Sequence, residues 1–164
     1  MSSFKLKLEE LEVIVYSFKV ALFYEKRIFR QIDMLGSQTL EDFHNVIFRA
    51  FDRFDEHLYS FYITQEAMKN IRKIVNSKEY SLPDEFDDNP FFPGKEKGNV
   101  TKTKIASLGL KEKEKLYYLF DFGDEWWHEI TLLSTYNTKD ETGFPKITKK
   151  ASDSPDQYEY YEEE

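Results

Sequence analysis

The feature that most constrains this fold is a change of hydrophobic period in the first third of the chain. From Leu40 onward, Leu40, Phe43, Ile47, Ala50, Phe51 and Phe54 recur at three- and four-residue steps, while Glu41, Asp42, Asn45, Arg49 and Asp52 hold the opposite side. That is the period of an amphipathic helix. Thr39 with Asp42 three residues on supplies an N-cap and a capping-box partner. A helix with one apolar stripe must bury it, and the neighbouring segments offer the surface.

There the period drops to two. In Val13 to Tyr24, VIVYSFKVALFY, the side chains Tyr16, Phe18, Val20 and Leu22 share one side, the pattern of a half-buried strand. Arg27 to Leu35 is its expected partner, with Glu25 and Lys26 near the turn and Gly36-Ser37 at the end. HLYSFYI, His57 to Ile63, alternates again, with His57, Tyr59, Phe61 and Ile63 on one face. A second helix is expected over Gln65 to Val75, with Ala67, Met68, Ile71, Ile74 and Val75 as its stripe. Residues 76–100 carry Pro83, Pro90, Pro93, Gly94 and Gly98 and read as a loop excursion, and KTKIASLGL as a short helical turn. Strands and helices without a regular βαβ rhythm point to an α+β fold: a mostly antiparallel mixed sheet with two main helices packed on it. One domain is expected over residues 1–150.

Composition narrows the function classes. There is no cysteine, so disulfides, zinc–thiolate sites and cysteine nucleophiles are excluded. The net charge of −8 belongs to the end of the chain, where DSPDQYEYYEEE holds six acids and no Lys or Arg. Residues 151–164 are therefore expected to form a disordered acidic tail. The remaining body is close to neutral, which leaves no basic face for duplex DNA. No apolar stretch approaches the ~20 residues of a membrane span, and the N-terminus lacks the pattern of a secretory signal. A cytoplasmic protein is expected.

The densest chemistry lies in YLFDFGDEWWHEI, Tyr118 to Ile130. Gly123-Asp124 between alternating runs signals a two-residue hairpin. In that register Asp121 pairs with Trp126 and Leu119 with His128, so Asp121 and His128 become diagonal neighbours on one face, while Tyr118, Phe120 and Trp127 share the other. The Asp-Phe-Gly tripeptide also occurs in protein kinases, but no glycine-rich phosphate loop or HRD-type loop accompanies it here.

Four blocks of the chain resemble the plasmid pRiA4b ORF-three-like family, whose members are sometimes labelled transposon passengers or TnpR-like. They are the step Ile28-Phe29-Arg30, where the family more often has Trp-Arg; the helix TLEDFHNVIFRAF; the strand His57, Leu58, Tyr59, Phe61; and FDFGDEWWH, with Phe120 in place of a Tyr. The closing segment departs from the family, since GFPKITKKASDSPDQY has no paired glycines. The resemblance implies an α+β fold and no assigned activity. A serine recombinase would need a nucleophilic Ser within an arginine cluster, which this sequence does not offer.

All three histidines, His44, His57 and His128, fall inside those blocks. If the helix lies across the sheet, His57, Asp121 and His128 can meet, with His44 nearby, as a catalytic or divalent-metal cluster of the two-His-one-carboxylate kind. The competing expectation is a set of buried hydrogen-bonded pairs that fix strand orientation, because an unpaired buried polar group costs ~1–3 kcal/mol. Trp126, Trp127, Tyr59 and Asp124 are the candidate ligand contacts. Lys111, Lys113 and Lys115 would line one face of a strand and, beside aromatics, could hold single-stranded nucleic acid. The leading expectation is a non-enzymatic accessory or binding module acting on an unknown protein or small ligand. The alternatives are a metal-dependent enzyme on the His/Asp cluster and a single-stranded nucleic-acid binder.

Overall fold

Eight strands and two α-helices make up the fold in a computed structural model that describes residues 13–84 and 95–158. In chain order they are β1 (Val13–Leu22), β2 (Glu25–Leu35), α1 (Leu40–Ala50), β3 (Tyr59–Gln65), α2 (Ile71–Val75), β4 (Lys78–Ser81), β5 (Gly98–Asn99), β6 (Lys115–Phe120), β7 (Trp126–Thr138) and β8 (Lys146–Ala151). The strands form one sheet in the order β5-β4-β3-β6-β7-β1-β2-β8. Every pairing is antiparallel except the short β4–β5 contact. The α+β architecture, mostly antiparallel and single-domain, is as expected.

α1 forms where its stripe and cap place it. The Thr39 side chain accepts from the Asp42 amide, and the Asp42 carboxylate accepts from the Thr39 amide at 2.9 Å, closing the capping box. Leu40, Phe43, Val46, Ile47 and Ala50 are buried against Phe18, Phe61, Tyr118 and Leu132 of the sheet. The rings of Phe18 and Phe61 lie 4.8 and 5.7 Å from that of Phe43, so aromatic packing dominates this layer. At the helix C-terminus, Arg30 Nε donates to the Ala50 carbonyl at 2.7 Å, supplying a partner that the helix itself cannot.

A smaller cluster on the other face gathers Tyr62, Ile74, Tyr117, Leu119 and Trp127, with Met68, Ile71 and Val75 against it. Here the second helix is shorter than its sequence stripe. Gln65 belongs to β3 and turns into left-handed backbone, φ 63°, and the helix starts only after Asn70, whose side chain accepts from the Arg72 amide. Met68 and Ile71 reach the cluster without a continuous helix between them.

The excursion at 76–100 also carries order. β4 adds to β3, and β5 joins through Gly98, where an added Cβ would lie 2.1 Å from the Tyr80 ring. The lysine run is not a strand: Lys113 sits in a turn at φ 71° and only Lys115 enters β6. The expected basic strand face at Lys111, Lys113 and Lys115 therefore does not form. Residues 152–158 of the expected disordered tail lie on the body, held by Arg30 Nη1 bonds to the Ala151 and Ser152 carbonyls at 3.2 and 2.9 Å. The rest of that tail lies outside the described residues.

Candidate functional site

The β6–β7 connection controls what can meet what. Instead of two residues it uses five, Asp121 to Glu125, with left-handed backbone at Asp121 (φ 63°) and Glu125 (φ 53°). Asp121 holds the loop from within. Its Oδ1 accepts from the Gly123 and Asp124 amides at 3.0 and 3.2 Å, its amide donates to Leu58 O, and its carbonyl accepts from the Glu125 amide at 2.7 Å. The wider loop moves the register by one residue: Phe120 faces Trp126, Leu119 faces Trp127 and Tyr118 faces His128. Trp126 and His128 thus share the α1 face with Tyr118 and Phe120, and Trp127 moves to the α2 cluster. Asp121 leaves the strand altogether, and the expected Asp121–His128 neighbourhood does not arise.

The histidines separate accordingly. His44 lies in the main core with its ring parallel to Tyr59, centroids 3.7 Å apart. Its Nδ1 is 2.6 Å from the Tyr118 hydroxyl and its Nε2 is 2.5 Å from Glu56 Oε1. Burial, reinforced by the Arg53 charge, pushes His44 down to about 3, so the neutral ring accepts from Tyr118 and donates to Glu56. Burial also drives the Tyr118 phenol well above its usual range, keeping it a donor.

His128 is fully buried. Its Nε2 accepts from Arg53 Nη2 at 2.8 Å and its Nδ1 is 3.2 Å from the Tyr118 carbonyl. Burial and then the Arg53 charge hold it well below the ordinary histidine range. Arg53 itself is enclosed by the rings of Phe51, Phe120 and Trp126 at 5.2, 5.0 and 5.3 Å, and burial lowers it to about 10. Arg53 stood among the sequence candidates nowhere. Its only signal was its place four residues after Arg49, just beyond the helix.

His57 is the histidine that reaches solvent. Its Nε2 lies 2.6 Å from the Tyr158 hydroxyl, 3.4 Å from Asp121 Oδ2 and 3.6 Å from Asp55 Oδ2. Gln157 completes the clasp: its Oε1 accepts from the Phe54 and Asp55 amides at 3.0 and 3.1 Å and its Nε2 donates to Asp55 O at 2.7 Å. So His57 and Asp121 do come together, while His44 and His128 are engaged elsewhere. Among the described residues no three His, Asp or Glu side chains are placed to hold a metal ion.

Beside this clasp lies a groove of about 430 Å³ lined by the apolar or aromatic Leu58, Tyr59, Leu82, Pro83 and Phe122 and by the polar Ser81, Asp84 and Lys97. Leu58 and Phe122 are 60% and 47% exposed and line the same groove, so they form a shared apolar edge rather than scattered single residues. The buried Tyr59 hydroxyl has no hydrogen-bond partner among the described residues. Of the candidate ligand contacts, Tyr59 lines this groove and Asp124 is exposed on the adjoining loop. Trp127 is buried and Trp126 is half-buried against the core, so neither offers a free ring face.

Residues 14–158 match the family model described as plasmid pRiA4b ORF-3-like protein. Among solved structures, the chain is similar to MM3350, a protein of unknown function from Methanosarcina mazei Go1. The likeness has a TM-score of 0.67 at 20% identity and covers 88% of this chain and 73% of that one. None of the curated proteins matches. At that identity the structural likeness speaks for the fold alone.

Proposed function

This chain belongs to the plasmid pRiA4b ORF-3-like family, and on that premise we propose a non-enzymatic, cytoplasmic accessory module that binds an apolar ligand or partner side chain in the groove of Leu58, Tyr59, Leu82, Pro83 and Phe122. The observation that carries the reading is the pair of exposed apolar residues, Leu58 and Phe122, on the rim of a preformed groove. Apolar side chains set among a few polar groups, here Ser81, Asp84 and Lys97, are the usual make-up of a ligand site. Lys97, 3.7 Å from Glu79, brings a cation to the same rim.

The histidines favour binding over catalysis. His44 and His128 are consumed by internal hydrogen bonds and held neutral, which suits a scaffold more than proton transfer near neutral pH. The His57–Asp121 pair ties the β6–β7 loop to the residues before β3 and to Tyr158, and so shapes the groove wall.

Anilinonaphthalene sulfonate, an apolar ring system with one anionic group, is the probe that tests this. The native protein is expected to enhance its fluorescence, and Leu58→Asp or Phe122→Asp to remove most of the enhancement. Tyr24→Ser, at an exposed aromatic away from the groove lining, should leave it intact. Enhancement that survives both groove substitutions, in variants that melt like the parent, overturns the proposal.

A further inference from the structure

The face of the sheet away from α1 is largely open among the described residues. α2 and its cluster cover the β3–β6 end of that face and Trp127 of β7, but no described helix covers the rest of β7, β1, β2 and β8. The register draws one continuous row across it. Lys115 of β6 faces Thr131 of β7, Thr131 faces Lys19 of β1, Lys19 faces Gln31 of β2, and Gln31 faces Lys149 of β8. The main-core side chains Leu116, Ile130, Phe18 and Ile32 alternate with these positions, so the row projects away from the core. Lysines thus stand on alternate strands, roughly 10 Å apart at a strand spacing near 4.8 Å.

An aromatic ring sits beside this row. Phe29 pairs with Ala21 and Ala151, whose small side chains leave its flanks low, and Lys19 and Lys149 place their ammonium groups 4.4 and 5.5 Å from its centroid. Neither of these lysines meets a carboxylate among the described residues. Carboxylates beside the row are already engaged, Glu25 by Arg27 among them. Glu129 takes Lys26, Lys115 and the Tyr117 hydroxyl, and Asp33 takes the Ser17 and Tyr136 hydroxyls. A cavity of about 230 Å³ lies between Lys19, Lys26, Lys115, Thr131 and Leu133, with Glu129 also in its wall. Asp153 and Asp156 line a different cavity with Asp52 and Tyr158, beside the His57 clasp.

We propose that this open face binds single-stranded nucleic acid, with Lys19 and Lys149 turning from the Phe29 ring to phosphates along the strand and Phe29 stacking a base. A regular row of cations with polar Thr and Gln between them suits a repeating phosphate chain, and the flat ring among them suits a base. An acidic polypeptide would use the charges without needing the ring. This surface is independent of the groove, so either can fail without the other.

Fluorescence anisotropy of a labelled oligothymidylate at low ionic strength tests the proposal. Lys19→Glu with Lys149→Glu should weaken binding at least ~10-fold and lower the slope of log affinity against log salt by about 0.7 for each lysine lost. Phe29→Ala should weaken binding several-fold with the slope unchanged, because stacking releases no counterions. Lys102→Glu with Lys104→Glu, exposed on the α1 side, should have little effect. Thermal melts establish that each variant is folded. Absence of oligonucleotide binding by the native protein overturns the proposal. Equal losses in the control pair, or polyglutamate competing as well as unlabelled oligonucleotide, do the same.

Discussion

His44 and Tyr59 lie face to face, their ring planes 1° from parallel and their centroids 3.7 Å apart, although one comes from α1 and the other from β3. The stack joins the helix to the middle of the sheet, and the bond between His44 Nδ1 and the Tyr118 hydroxyl ties in the next strand. Replacing His44 by Ala opens a cavity and leaves a buried phenol unpaired. The expected loss is about 2–4 kcal/mol of unfolding free energy, measured by urea titration. A loss below about 0.5 kcal/mol would mean that the stack contributes nothing.

The same histidine makes stability depend on acidity. Its value of about 3 in the folded protein lies below the ~6.5 of an unfolded chain. The unfolded state therefore takes up the proton first as pH falls, and stability is complete above about pH 6.5 and declines as pH moves toward 3. From His44 alone the decline is on the order of 4 kcal/mol, and the buried His128 acts in the same direction. Unfolding free energies measured across this range should flatten in His44→Gln. An unchanged slope in that variant would place the protons elsewhere.

The C-terminal clasp should be measurable locally. Gln157→Ala removes the acceptor for two amides, Phe54 and Asp55, and the donor to Asp55 O. A cost of roughly 1–2 kcal/mol is expected, with faster hydrogen exchange at those two amides. Exchange that stays slow would show that the clasp does not depend on Gln157.

Gly98 meets Tyr80 so closely that an alanine Cβ would lie 2.1 Å from the ring. Gly98→Ala should cost roughly 1–3 kcal/mol through overpacking, and Tyr80→Ala should relieve most of that cost in a double-mutant cycle. Additive losses would rule out the clash.

Asp121 separates backbone strain from hydrogen bonding. Asp121→Asn keeps an oxygen for the Gly123 and Asp124 amides and tolerates φ 63°, so it should be nearly neutral. Asp121→Ala loses both and should cost about 1–2 kcal/mol, read from urea unfolding. Equal stability of the two variants would contradict the role given to Oδ1.

Legibility in the sequence followed the range of the interaction. α1 could be read with its cap, because the stripe Leu40–Phe43–Ile47 and the Thr39–Asp42 pair are local signals. β1 and β2 could be read from their alternation for the same reason. The β6–β7 register could not, because it depends on Asp121 and Glu125 adopting left-handed backbone, which neither residue type announces. One residue of difference exchanged the faces of Trp126 and Trp127 and parted Asp121 from His128. The lysine row could not be read either: Lys19, Lys115 and Lys149 are far apart in sequence and become neighbours only through the order β6-β7-β1-β2-β8. Arg53 and the Gln157 clasp are likewise products of tertiary contact.

Ligand capture beside the β6–β7 loop is best tested by locating a bound probe directly. Nuclear Overhauser contacts between anilinonaphthalene sulfonate and the protein should appear at the Leu58 and Leu82 methyls and the Phe122 ring. Contacts confined to other surfaces, with those three residues silent, would contradict the binding role.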